Sequence, residues 1–282
     1  MTNVSEEAVQ FMNQIENNQF ESVEQNQAEQ QSQTEQNQEE IKIEEIPKSI
    51  FHKDNTARFS SSDWFKEVSR QVVSICGCGG IGSWVTALIS RLNLREIYLY
   101  DPDKIESVNM AGQFYIKDLI GDSKVDGLSR LMMQFSHYYS IGSLKQEVSR
   151  YSTLTNIVIC GFDNMRARKE AFIAWDGCIY KPHASDYLFI DGRLDAETFQ
   201  VFCIRGDNDE AKRIYKEKYL FSDEEGESVI CSYKQTSFCA SMIASVITNL
   251  FVNYCSNKAN GDFRSLPFLT TYDATTMQLK QE

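Results

Sequence analysis

The sequence predicts an α/β fold: a doubly wound, mostly parallel sheet with flanking helices, ending in a C-terminal antiparallel strand pair and preceded by a disordered N-terminal tail. Three observations carry this reading. Short apolar runs of strand length alternate with helix-length amphipathic segments from Gln71 to Ile204. The first run ends in a glycine-rich turn, Gly77-Cys78-Gly79-Gly80-Ile81-Gly82. The charge is unevenly placed: of a formal net charge of −12, residues 1–46 hold eleven Glu against one Lys.

That division sets the domains. Residues 1–46 also carry ten Gln and six Asn, with no Gly and no Cys. Such a segment buries too little apolar surface to offset its ordering entropy, so it reads as a disordered Gln/Glu-rich tail. Ile46-Pro47 marks its end. Residues 47–282 are nearly balanced, 27 basic against 29 acidic, and are rich in Val, Ile, Phe and Tyr. They can bury a sizeable core and read as one folded domain, residues 47–282.

The elements follow in order. Residues 48–70, with Phe51, Phe59, Trp64, Phe65 and Val68, read as a docked lead-in segment with one short helix. Gln71–Cys76 is an apolar strand ending at Gly77. From Ile81, apolar residues recur at Trp84, Val85, Leu88, Ile89 and Leu92, offsets of 3, 4, 7, 8 and 11, which is a helical stripe. Glu96–Tyr100 is a second strand, and a long loop runs from it to about Asp122. Ser123 caps a helix whose buried face is Val125, Leu128, Leu131, Met132 and Phe135. Asn156–Cys160 is a buried strand, followed by Gly161, Asp163 and a helix over Met165–Trp175. Tyr187–Ile190 and Thr198–Ile204 read as strands, Ser237–Cys255 as a long central helix, and Phe268–Tyr272 with Met277–Leu279 as the terminal pair.

Composition also excludes function classes. Without a basic block there is no electrostatic footprint for duplex nucleic acid. The longest apolar stretch, Phe238–Val252, is too short for a membrane span and is broken by Ser241, Ser245, Thr248 and Asn249. The N-terminus lacks the basic-then-apolar pattern of a signal peptide, and eight Cys without a framework spacing predict reduced thiols and a cytoplasmic location. There is no C-x-x-C pair, so a zinc site of that type is not expected. His52, His137 and His183 show no spacing that suggests a metal site or a triad.

The glycine turn carries the first functional signal. Gly77, Gly79 and Gly82 fit G-x-G-x-x-G between a strand and a helix, where glycines let the backbone approach a phosphate and the helix start offers free N–H groups. Asp101 closes the next strand, 19 residues beyond Gly82, the place for a carboxylate that accepts bonds from ribose hydroxyls. The fold is therefore Rossmann-like. These features alone favour an NAD-dependent oxidoreductase. The loop Asp101–Phe114 points elsewhere. It places Asp103 two residues beyond the ribose acid, as a triphosphate–Mg²⁺ site requires.

Over roughly residues 55–280 the chain resembles the ThiF/MoeB/ubiquitin-activating-enzyme family of adenylyltransferases. Gly77–Ser83 matches its G-x-G-G-x-G-S loop. Asp101, Asp103, Asn109, Gln113 and Phe114 match its D-x-D…S-N-x-x-R-Q-F stretch. Gly121 and Lys124 match a Gly…Lys that opens a helix, and Asp163-Asn164 with Arg168 matches D-N-x-x-x-R. The resemblance implies ATP- and Mg²⁺-dependent adenylation of the C-terminal carboxylate of a separate small ubiquitin-like or sulfur-carrier protein or peptide, by a homodimer. It implies that Gly77, Gly79, Gly80, Gly82 and Ser83 hold phosphates and Asp101 the ribose. Asn109 and Gln113 orient phosphates, Lys124 adds positive charge, and Asp163 with Asp103 holds Mg²⁺. Arg58 is implied to act across the dimer.

Plainer readings stand beside these. Asp163 also suits the cap of the helix after it, Asp103 a turn after Pro102, and Lys124 a solvated first helical turn. Gly112 stands where the family usually has an Arg, which supports a third reading, a non-catalytic binding subunit of the same fold. Thiol transfer would fall to Cys231, with Cys178 and Cys239 as alternatives and an ordinary loop cysteine as the plainer reading. Cys76, Cys160, Cys203 and Cys255 read as core thiols.

Overall fold

A computed structural model describes residues 56–221 and 235–282. The expected tail, residues 1–46, and Cys231 lie outside the described residues.

One eight-stranded sheet organises the chain, in the order β3-β2-β1-β4-β5-β6-β7-β8. A short helix α1 (Phe65–Val68) leads into β1 (Val72–Cys76). Then come α2 (Gly80–Ile89), β2 (Glu96–Tyr100), α3 (Lys124–Ser136) and β3 (Ile141–Leu144). The second half holds β4 (Ile157–Cys160), α4 (Met165–Gly177), β5 (Leu188–Leu194), β6 (Thr198–Arg205), α5 (Asp209–Ile214) and α6 (Ser237–Asn260). The terminal strands are β7 (Leu269–Asp273) and β8 (Gln278–Gln281). The ladders from β3 through β5 are parallel, and those joining β5, β6, β7 and β8 are antiparallel. The fold is Rossmann-like, as expected.

Its strands alternate their side chains between two cores. Ile157 and Ile159 of β4 face the helices α2, α3 and α6, together with Val85, Met132 and Ile247. Val158 and Cys160 face α4 and α5, against Phe172, Trp175 and Tyr215. Three layers result, with the sheet in the middle.

Several elements differ from the sequence reading. The antiparallel part begins at β6, because β6 turns straight back beside β5 after a short loop. The edge strand β3, Ile-Gly-Ser-Leu, carries too little periodicity to be read and is held by pairing Ile97–Tyr100 of β2. Two 3₁₀ turns, Ser107–Ala111 and Lys117–Leu119, punctuate the expected loop. The helix α5 and its wider continuation, Tyr215–Tyr219, were not foreseen. α6 extends past Cys255 to 24 residues, long and apolar enough to cross a membrane by length and composition. Here it packs on α2, β5 and β6, with Ile243, Ile247, Leu250 and Phe251 buried.

Candidate active site

Strand order places the site. The chain leaves β1 toward β2 and returns to β4 on the other side of β1, so a crevice opens at the carboxyl ends of β1 and β4. A cleft of about 1230 Å³ starts there and runs across the antiparallel strands to Lys280.

The glycine loop forms its floor. Gly77 follows β1 with φ at +88°, in the left-handed region that favours glycine. A methyl on Gly82 would lie 1.8 Å from the Gly77 carbonyl oxygen, so the loop and the first turn of α2 close on each other only without a side chain. Gly79 is the N-cap of α2 and has no side chain to cap the backbone N–H groups of its first turn. The Tyr115 hydroxyl donates to the Cys78 carbonyl at 2.7 Å and braces the loop from below.

Asp101 ends β2 beside it. Its two carboxylate oxygens accept the backbone N–H groups of Cys78 (2.7 Å) and Asp103 (2.8 Å). Burial pushes its carboxyl above the ordinary value; Lys124 and those two N–H groups pull part of the way back. Lys124, the first residue of α3, sends Nζ to Asp103 at 2.8 Å, with Asp101 at 3.9 Å. Burial alone would lower its ammonium, but Asp101 and Asp103 outweigh it and hold Lys124 above the usual lysine range. Ser123 caps α3 by accepting the Asp126 N–H, as expected.

Asp163 stands exposed at the end of β4 and lines the same cleft. The cap of α4 is Asn164, whose side chain accepts the Ala167 N–H at 2.8 Å. The plainer reading of Asp163 as that cap is therefore not what the fold uses. Arg168 borders the cleft but spends its guanidinium on the interior. It donates to the Phe162 carbonyl, to the Gly192 carbonyl at 2.9 Å, and to the buried Asp191. That carboxylate also accepts from Arg193 and from the Tyr215 hydroxyl, both at 2.9 Å. Arg168 thus fixes the backbone just before Asp163.

The structure brings Gly77, Gly79, Gly80, Asp101, Asp103, Gln113, Lys124 and Asp163 to one cleft. Four expected residues stand off it. Gly82 and Ser83 lie beneath the loop, where Ser83 accepts the Phe114 N–H at 2.9 Å. Asn109 spends its carboxamide on the 3₁₀ turn, accepting the Glu106 N–H at 2.8 Å. Arg58 is exposed in the lead-in turn. Of the alternative thiols, Cys239 is buried and burial raises its pKa, while Cys178 is exposed at the end of α4 and off the cleft.

Sequence reasoning missed three features. Gln235 reaches the glycine loop, and no motif or spacing announces it. Asp191 is an acidic residue directly after the apolar run Leu188–Ile190, a signal of a buried polar partner that was available. The cleft-facing rows of the antiparallel strands, such as Gln200, Thr271 and Lys280, follow from cross-strand register.

The pattern that defines the ThiF family matches residues 52–282. The chain belongs to the ThiF family. Ubiquitin-like modifier-activating enzyme 5 of Drosophila pseudoobscura pseudoobscura is 27% identical over 121 residues, 37% of this chain and 30% of that protein. Its counterpart in Drosophila persimilis is 26% identical over 136 residues, 42% of this chain and 35% of its own length. The chain therefore aligns with about a third of these curated relatives. Among solved structures, PaaA superposes with a TM-score of 0.60 at 16% identity, covering 78% of this chain and 66% of PaaA. Escherichia coli MccB with succinimide gives 0.58 at 15% identity, covering 84% and 73%. MccB with ATP gives 0.55 at 14% identity, covering 78% and 65%. At these identities the likeness to solved structures speaks for the ThiF fold.

Proposed function

We propose that this ThiF-family chain is an ATP- and Mg²⁺-dependent adenylyltransferase. It activates the C-terminal carboxylate of a separate small ubiquitin-like or sulfur-carrier protein or peptide. The observation that carries this reading is the position of Asp163: an exposed carboxylate at the end of β4, freed from capping by Asn164, across the strand-switch crevice from the glycine loop. Relatives named as ubiquitin-like modifier-activating enzymes and the structures of MccB with ATP and with MccA support it.

In the proposed reaction, a carboxylate oxygen of the substrate attacks the α-phosphorus. The bond from that phosphorus to the bridging oxygen breaks, and pyrophosphate leaves with the electron pair. The α2 N-terminus offers N–H groups to phosphate oxygens, and Lys124 supplies positive charge at the floor. Asp163 would hold Mg²⁺, which would neutralise phosphate charge. Asp103, whose Oδ2 accepts from Lys124, would join it through its other carboxylate oxygen. Arg58, exposed on its own chain, would serve the partner's cleft in a homodimer.

The test is ATP–pyrophosphate exchange with candidate carboxylate partners. Exchange should require the cognate partner and vanish in Asp163→Ala; no exchange with that partner present refutes the reading. Gly112 favours a second reading, a binding subunit without turnover. Nucleotide binding without exchange, restored by adding a companion chain, would identify it. Tight NADH binding without ATP binding would point to the oxidoreductase alternative.

A further inference from the structure

We infer that Gln235 is a nucleotide-contacting residue that reads the phosphates at the glycine loop, a role that rests on the nucleotide site proposed above. The residue lines the cleft one position before the cap of α6. Its main chain is anchored there. Thr236 accepts the Cys239 N–H and donates its hydroxyl to the Ala196 carbonyl at 2.9 Å, tying the start of α6 to the β5–β6 turn. From that anchor the side chain crosses to the glycine loop. A methyl on Gly80 would lie 1.7 Å from Gln235 Oε1, and a methyl on Gly112 would lie 2.9 Å from its Cγ.

The backbone does not demand glycine at either place. Gly80 lies within α2, and Gly112 has φ of −129°, open to any residue. Gln235 is what fills the room a side chain would need. Its carboxamide oxygen sits against the first turn of α2, which has no side-chain cap. An acceptor is thus seated against Gly80 at the start of α2, on a group that also carries two donors. A half-turn of the amide presents those donors to an arriving phosphate.

A second carboxamide flanks the same loop. Gln113 is only 9% exposed, its Oε1 has no hydrogen-bond partner among the described residues, and its Nε2 would lie 3.8 Å from a methyl on Gly79. Two neutral amides therefore border the phosphate cradle on the side where position 112 offers no cation. Phosphate is read there by hydrogen bonds from Gln235.

Calorimetric titration of the full-length chain with adenosine, AMP and ATP tests this. Gln235→Glu places a carboxylate against the anion cradle and should weaken ATP by about tenfold or more while leaving adenosine unchanged. Gln235→Ala should cost ATP about threefold. Gly112→Ala pushes Gln235 aside and should show the same phosphate-selective loss, and the double variant should be no worse than either single one. ATP bound equally by wild type and Gln235→Glu overturns the assignment. So does an equal loss for adenosine and ATP, which marks a packing role. Wild-type chain that binds no ATP removes the nucleotide site itself, and this role with it.

Discussion

Replacing Lys124 by Met separates charge from packing at the floor of the cleft. Methionine keeps the length and most of the apolar stem. The Lys124 side chain is 10% exposed and holds two acids of different character. Asp103 is 63% exposed at its side chain, so water takes over from Lys124 and the loss there is about 0–1 kcal/mol. Asp101 is 6% exposed and stays buried without its cation. Breaking a buried pair costs about 3–5 kcal/mol when the remaining charge has nothing else. Asp101 retains two backbone N–H bonds, which brings the expected loss to about 2 kcal/mol. For a domain of this size that lowers the melting temperature by about 4–8 °C.

The pH dependence gives the decisive sign. Burial already raises Asp101, and removing Lys124 raises it further. A carboxyl whose folded value lies above its unfolded value favours the native state at low pH, and that advantage is lost as pH rises through the folded value. The Lys124→Met deficit should therefore be largest at neutral pH and shrink as pH falls toward about 4. Urea unfolding of both proteins at pH 7 and at pH 5 measures it. A deficit equal at the two pH values would refute the electrostatic account and leave Lys124 as a packing residue.

Other outcomes follow from the same structure. Gly82→Ala drives a methyl into the Gly77 carbonyl, 1.8 Å away, and should sharply reduce soluble, folded protein, as read by expression and circular dichroism. Asp191→Ala strands Arg168 and Arg193 without their shared carboxylate and should cost about 3–5 kcal/mol in urea unfolding, with Asp191→Asn less severe. Iodoacetamide followed by mass spectrometry should label exposed Cys178 well before Cys78, Cys203 and Cys255, whose thiols burial pushes up. Deleting residues 1–46 should leave ATP affinity unchanged in the same calorimetric assay; a large loss would make the acidic segment part of the site.

Much of the fold was legible because its signals are local. The β1–α2–β2 unit could be read from an apolar run, a glycine turn and a helical stripe, each spanning a few residues. Lys124, Asp101 and Asp103 were read as separate parts of one nucleotide site, and the fold joins them, with Lys124 between buried Asp101 and exposed Asp103. Where the reading fell short, the missing information was not local. β3 is four residues held by its neighbour. Asn109 and Ser83 have the right types for a phosphate site, but nearby N–H groups use them first. The Asp163 cap question was settled by Asn164, since only one of two adjacent carbonyl-bearing side chains can point back at the helix N–H groups.

The sequence by itself determined the family resemblance, the glycine turn, the acids near it and the division between an acidic segment and a nearly neutral domain. These depend on residue type and short spacing. Only the tertiary structure decided that Arg168 faces inward to Asp191, that polar rows of β6, β7 and β8 extend the cleft, and that Gln235 lies between Gly80 and Gly112. Those facts depend on strand order and cross-strand register, which bring distant segments together to bury the two cores on either side of one sheet.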